Sequence, residues 1–191
     1  RGQPRLSYKF PFQEEKPTIV ITVYVDSDWA GDKTHRKSVS CVVEKIGEAC
    51  ISSVSNTQQV VALSSGEAEF YAEGLGAAHG SLTKTVLEEF GRKKSVVLQC
   101  DSNAGKGIAS RLGVGKVRHL EVRYLWLQER VQKGLIVIKK VLGTENEADV
   151  GTKDHPRAHF EKLLRMIGLT IPWGVVAESV AIADAAAIGD G

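Results

Sequence analysis

The run Thr18 to Trp29, TIVITVYVDSDW, constrains this chain more than any other stretch. Ile19, Ile21, Val23 and Val25 fall on one side of a period-two pattern, and Thr18, Val20, Thr22 and Tyr24 on the other, so the segment predicts a buried β-strand. The apolar run stops at Asp26 and Asp28. A carboxylate at the margin of a core is expensive unless a cation, a metal or a capping role satisfies it. Asp-Ser-Asp is also good turn chemistry, and the choice between the two readings depends on where other acids fall.

The chain of 191 residues is long enough for one sizeable domain, and 42% hydrophobic residues suffice for its core. The domain is expected over residues 18–169. Residues 1–17, with Pro4, Pro11 and Pro17, suit a linker from an upstream region, and the Ala- and Gly-rich residues 170–191 suit a loosely held tail. A net charge of +2 makes no global case for nucleic acid, so any basic footprint must be local. Cys41, Cys50 and Cys100 lie in or beside apolar runs without paired metal-ligand spacing, which predicts buried, reduced thiols and an intracellular setting, cytoplasm and nucleus being undistinguished. No apolar run reaches membrane-spanning length, and no secretory leader pattern opens the chain.

Two more strands, Ser38 to Glu44 and Glu48 to Val54, are joined by a short turn, so the first three strands are expected to be antiparallel. The period then changes. Ser64-Ser65-Gly66-Glu67 is a capping-box pattern that opens a helix to Phe90, closed by Gly91, with Ala68, Ala72, Leu75, His79, Leu82 and Val86 as its expected buried face. Ser95 to Cys100 is a strand followed by Asp101, and a short helix is expected from Asn103 to Leu112. After a Gly-rich turn, an amphipathic helix is expected from Arg118 to Lys133, stopped by Gly134. Leu135 to Leu142 is the last strand, and a final helical region runs from Asn146 to about Ile167. Antiparallel strands followed by alternating strand and helix predict an α/β fold, a mixed sheet flanked by helices.

In that arrangement Asp26 and Asp101 end strands on one sheet edge, where ligand sites of α/β proteins form, while Glu69 sits in the long helix and Asp149 in the last helical segment. Hard divalent ions such as Mg²⁺ take carboxylate oxygens, and a pair of them can hold both the attacking water and the leaving oxygen of a phosphodiester.

Five words in order carry a resemblance: Val25-Asp26-Ser27-Asp28-Trp29-Ala30-Gly31-Asp32, Ala62-Leu63-Ser64-Ser65-Gly66-Glu67-Ala68-Glu69-Phe70, Cys100-Asp101-Ser102, Arg118-His119-Leu120-Glu121-Val122-Arg123-Tyr124, and Ala148-Asp149 with Thr152-Lys153. Together, over roughly Ile19 to Leu169, they resemble the ribonuclease H domain at the C-terminal end of copia-type LTR retrotransposon Pol polyproteins. The resemblance implies the five-stranded ribonuclease H-like fold and Mg²⁺-dependent cleavage of the RNA strand of RNA·DNA hybrids, with two ions for which Mn²⁺ can substitute. It matches Asp26, Glu69, Asp101 and Asp149 to the metal-binding carboxylates. Ala68-Glu69-Phe70-Tyr71-Ala72 fits the family's context for the helix acid, whereas Glu67 already serves the helix cap and Asp28 the following loop. Reverse transcriptase and integrase portions of a parent polyprotein are implied partners, and the isolated domain is expected to be monomeric.

Three positions depart from the pattern. The loop Leu142 to Glu147 lacks the histidine of many cellular ribonucleases H, which implies slower turnover, Ser53 replaces a tryptophan, and Gly66 replaces a threonine. Basic residues cluster after the first acid (Lys33, His35, Arg36, Lys37) and between the third and fourth (Lys106, Arg111, Lys116, Arg118, His119, Arg123). Of these, Lys33, Arg36, Lys116, Arg118, His119 and Arg123 are expected to follow the phosphate backbones of a hybrid, although for any single one of them a solvated helix face is the better explanation. A catalytically inactive or co-opted nucleic-acid-binding remnant is the alternative function. An integrase or transposase of the same fold is disfavoured, because its order of acids, Asp, Asp, Glu, differs from the Asp, Glu, Asp, Asp found here.

Overall fold

The computed structural model describes residues 7–14, 16–112 and 125–170. Five strands form the main sheet: β2 (Thr18–Asp28), β3 (Val39–Ile46), β4 (Ala49–Thr57), β5 (Lys93–Cys100) and β6 (Ile136–Lys140), in the order β4-β3-β2-β5-β6. β2, β3 and β4 are antiparallel neighbours, whereas β5 runs parallel to β2 and β6 parallel to β5. This is the mixed sheet the sequence predicts, with the two acid-bearing strands side by side. The remaining strands, β1 (Ser7–Tyr8) and β7 (Leu169–Thr170), pair antiparallel with each other. The stretch read as an incoming linker thus contributes a strand through a pairing that local sequence cannot announce.

Helices α1 (Ser65–Glu89), α2 (Asn103–Ala109) and α3 (described over Leu125–Gln132) cover one sheet face, where Ile21, Val23, Val25, Val96 and Leu98 are buried with Phe70, Ile108 and Leu127. The other face packs Cys41, Val43 and Cys50 against Leu164 of α4 (Arg157–Met166), with Ile167 beyond it. All three cysteines are buried and unbridged. Burial pushes the Cys41 thiol up to about 12, which keeps it protonated. Among the described residues no helix is long and apolar enough to cross a membrane.

Helix α1 starts as its sequence predicts: the Ser64 side chain accepts from the Glu67 N–H at 3.2 Å. Its expected face is buried at Ala68 and Ala72 but not toward its C-terminal end. Leu82 is 66% and Val86 51% exposed, and the stripe against the sheet instead runs through Glu69, Glu73, Gly76 and Gly80. A Cβ built at Gly76 would lie 2.4 Å from Val25 Cγ1, and one at Gly80 2.8 Å from Val96 Cγ1, so the two glycines let the helix axis approach β2 and β5. Counting apolar residues passes over such a stripe because glycine contributes no hydrophobic signal.

Other boundaries move for local reasons. Pro156 splits the last helical region into a 3-10 turn (Glu147–Gly151) and α4, because proline favours extended backbone at the residue before it and suits the start of a helix. The predicted helix from Arg118 is described only from Leu125, and the residues before it, with Lys116, Arg118, His119 and Arg123, lie outside the described residues. Gly66 also has a structural reason. A Cβ there would meet Ala104 Cβ at 2.8 Å, so its absence lets α2 sit against the start of α1.

Candidate metal centre

The parallel pairing of β2 with β5 ends at Tyr24 and Gln99, and beyond it the strands part. Asp26, still paired with β3, and Asp101, one residue past β5, therefore face a gap at the sheet edge. Glu69 enters from the second turn of α1, held close by the glycine stripe that follows it. One carboxylate oxygen from each of Asp26, Glu69 and Asp101 lies within 4.8 Å of the others. Asp26 is 1% and Glu69 9% exposed, and Glu69 Oε2 has no hydrogen-bond partner among the described residues. A buried acceptor left without a donor among converging carboxylates suits a cation with oxygen preference.

Burial, then the charges of Asp26 and Asp101, push Glu69 up to about 8. Asp26 rises to about 6, chiefly through burial, with Asp149 and Asp101 adding and the Thr152 hydroxyl and Lys153 opposing. Beneath them lies an acid the sequence reading did not single out. Glu73, fully buried one turn after Glu69, is pushed up to about 8 mainly by burial, and neither oxygen accepts a hydrogen bond of ordinary geometry.

These shifts have a measurable sign. Because the folded values lie above the ordinary 3.8 and 4.5, the stability these acids contribute is complete below those values. It is lost as pH rises through about 6 for Asp26 and about 8 for Glu69 and Glu73. In metal-free buffer the melting temperature should therefore fall from about pH 5 to about pH 9, and Glu73→Gln should flatten part of that fall. Circular dichroism melts in a chelator decide it: a melting temperature that rises over this range would refute the assignment.

Glu67 has other duties, as its capping position suggests. It is 1% exposed, accepts from the Leu63 N–H at 3.0 Å and from the Tyr71 hydroxyl at 2.5 Å, and belongs to the helix entry. Asp28 likewise serves its loop, accepting from the Val39 N–H at 2.6 Å.

Asp149 is placed by a clamp. Asn146, wholly buried, donates to the Val25 carbonyl at 2.9 Å, and Lys45 of β3 bonds Glu147 at 2.8 Å and the Met166 carbonyl at 2.9 Å. These contacts bring the 3-10 turn to the end of β2, so Asp149 adds to the field at Asp26 without joining the three-acid group. Its Oδ1 accepts from Lys153 at 2.6 Å, and Lys153 Nζ lies 3.4 Å from Asp26. Burial works against the Asp149 anion, but the Lys153 ammonium outweighs it and holds the carboxyl below the usual range. Burial also works against the Lys153 cation, yet the two carboxylates hold it above the usual lysine range. Thr152 donates its hydroxyl to Asp26 Oδ2. Thr152 and Lys153 thus belong to the site; their sequence signal is the Asp149-x-x-Thr152-Lys153 spacing, which puts both side chains back over Asp149 and Asp26.

Of the basic residues within the described structure, Lys33 and Arg36 are exposed on the loop after β2. Asp32 ties that loop, accepting from Thr34 N–H at 2.9 Å and His35 N–H at 3.1 Å.

No protein-family model matches the chain. Curated relatives do: it is 32% identical over 152 residues to the retrovirus-related Pol polyprotein from transposon TNT 1-94 of Nicotiana tabacum, a match covering 78% of this chain and 11% of that protein. It is 27% identical over 162 residues to the Pol polyprotein from transposon RE1 of Arabidopsis thaliana, covering 83% of this chain and again 11% of the relative. The chain thus spans about a tenth of the length of these relatives. Among solved structures, RNase H1 from Halobacterium salinarum is similar with a TM-score of 0.45 and 16% identity, over 70% of this chain and 94% of that one. With its β4-β3-β2-β5-β6 sheet, its acids at one edge and this identity over most of its length, the chain is a homologue of the copia-type retrovirus-related Pol polyproteins of transposons.

Proposed function

We propose that the chain hydrolyses the RNA strand of RNA·DNA hybrids, using Asp26, Glu69, Asp101 and Asp149 to hold two divalent ions, Mg²⁺ or Mn²⁺. One observation carries this reading: carboxylates from β2, α1 and the end of β5, far apart in sequence, converge within 4.8 Å with a buried oxygen left unpartnered. A packing role does not explain that, since packing alone would disfavour gathering three buried or half-buried acids.

When bound, such ions supply the positive charge that steadies the attacking water and the leaving oxygen of a phosphodiester. The protein's part is to orient. Strand ends fix Asp26 and Asp101, α1 fixes Glu69, and the Asn146 clamp fixes Asp149 beside them. Lys153 steadies Asp26 and Asp149 with its own charge. Exposed Lys33 and Arg36, on the loop after β2, would follow a phosphate backbone, as Lys116, Arg118, His119 and Arg123 would further along the chain. Hybrid shape and 2′-hydroxyls, rather than base sequence, would select the substrate. The parent is proposed to be a polyprotein that also carries reverse transcriptase and integrase portions.

The test is cleavage of end-labelled RNA in a hybrid, in Mg²⁺, in Mn²⁺ and in chelator, beside single-stranded RNA and duplex DNA. Products ending in 3′-hydroxyl and 5′-phosphate, formed only from the hybrid and only with an ion, are expected. Folded protein that leaves the hybrid intact with both ions would overturn the proposal.

A further inference from the structure

The side of Asp149 turned away from Lys153 faces two imidazoles. Asp149 Oδ2 lies 3.6 Å from His155 Nε2 and 3.8 Å from His159 Nε2, and the two rings stand 4.8 Å apart, tilted by 59°. All three side chains can place one ligand atom within 4.8 Å of the others. These separations are too long for direct hydrogen bonds and close to those of ligands sharing an ion: two donors each about 2.1 Å from a tetrahedral Zn²⁺ sit about 3.4 Å from one another.

The local fold explains the convergence. Asp149 lies in the 3-10 turn, Pro156 starts α4, and His155 and His159 flank that start four residues apart, so one rigid corner carries all three. The corner is shielded but open on one side, with His155 8%, Asp149 14% and His159 32% exposed at the side chain. Two imidazoles and one carboxylate form a donor set for a borderline transition ion, unlike the all-oxygen set around Asp26.

We propose that Asp149, His155 and His159 form a second metal site, for Zn²⁺ or a similar transition ion, with the remaining position left to water. One existing contact must give way. His155 Nε2 lies 2.8 Å from the Asp149 carbonyl, to which it donates, so uptake of the ion moves that ring proton to Nδ1 and turns the imidazole from the carbonyl toward Oδ2. Lys153 stays on Oδ1 and keeps the carboxylate ionised.

This inference does not rest on the nuclease reading, because its test reads the metal and not cleavage. Co²⁺ serves as the coloured probe for the full chain, with Zn²⁺ titrated calorimetrically. One equivalent of Co²⁺ should give the intense visible bands of a four- or five-coordinate ion with nitrogen donors, displaced by Zn²⁺ and retained in Asp101→Asn. The double variant His155→Asn/His159→Asn should bind Zn²⁺ more weakly by about a hundredfold or more, beyond what loss of an outer-shell partner costs. His159→Asn alone, on the more exposed ligand, should weaken binding without disturbing the melting temperature of the metal-free protein. Co²⁺ that shows only the faint bands of an all-oxygen octahedral ion, or a His159→Asn protein that binds Zn²⁺ as tightly as the parent, would overturn the assignment.

Discussion

Asp101→Asn should leave the protein folded and lower hybrid cleavage by about a thousandfold or more, the several kcal/mol that charge at a metal-assisted phosphodiester centre supplies. Asparagine keeps the shape of the side chain and removes only its charge, at a position less buried than Asp26. Without an ion that charge is a burden: it is among the causes that raise Asp26 to about 6 and Glu69 to about 8. The metal-free variant should therefore melt at the parent's temperature or slightly above it. The parent should gain stability as Mg²⁺ is added, because an ion that binds only the folded state draws the equilibrium toward it, and the variant should lose most of that gain. Melting curves with and without Mg²⁺, beside the cleavage assay, separate the alternatives. An Asp101→Asn protein that unfolds, together with a parent indifferent to Mg²⁺, would make these acids structural.

The parts of the site that were legible in sequence are those written in local patterns. An alternating run that stops at an acid marks Asp26, a strand followed by Asp101 marks its neighbour, and Ser64 with Glu67 assigns Glu67 to the helix cap, while the choice of Glu69 rests on the resemblance. The parts that escaped depend on the third dimension. Lys153 and Thr152 matter because the Asn146 and Lys45 contacts fold their turn back onto β2 from more than a hundred residues away. Glu73 reads as an ordinary helix-surface acid until the glycine stripe turns its side of α1 to the sheet. His155 and His159 are four apart, a helical metal-ligand spacing, but Pro156 between them argues against a continuous helix and hides the pairing. The strand at Ser7–Tyr8 exists only through its partner Leu169–Thr170, at the far end of the described residues.

Gly76→Val should destabilise the protein by about 3 kcal/mol and reduce cleavage even in the molecules that remain folded. Gly76→Ala gains about 1 kcal/mol of helix propensity, but its methyl would sit 2.4 Å from Val25 Cγ1 and 3.1 Å from Leu98 Cδ2. Both neighbours are wholly buried, so neither can swing aside without moving the core, and overpacking of about 1–3 kcal/mol cancels the propensity gain or exceeds it. Valine adds two further methyl groups to the same gap. Gly107, in α2 with nothing within 4 Å of its added Cβ, supplies the contrast: Gly107→Ala meets no obstacle and should stabilise by up to about 1 kcal/mol. The functional consequence follows from position. Glu69 lies two turns before Gly76 on the same face of α1, so a helix lifted from β2 and β5 carries that carboxylate away from Asp26 and Asp101. A displacement of about 1 Å at such a centre costs roughly a hundredfold in rate. Chemical denaturation of the Ala and Val variants, with single-turnover cleavage measured under conditions where each is folded, tests both halves. A Gly76→Val protein as stable and as active as the parent would show that the close approach of α1 to the sheet does not hold Glu69 in the site.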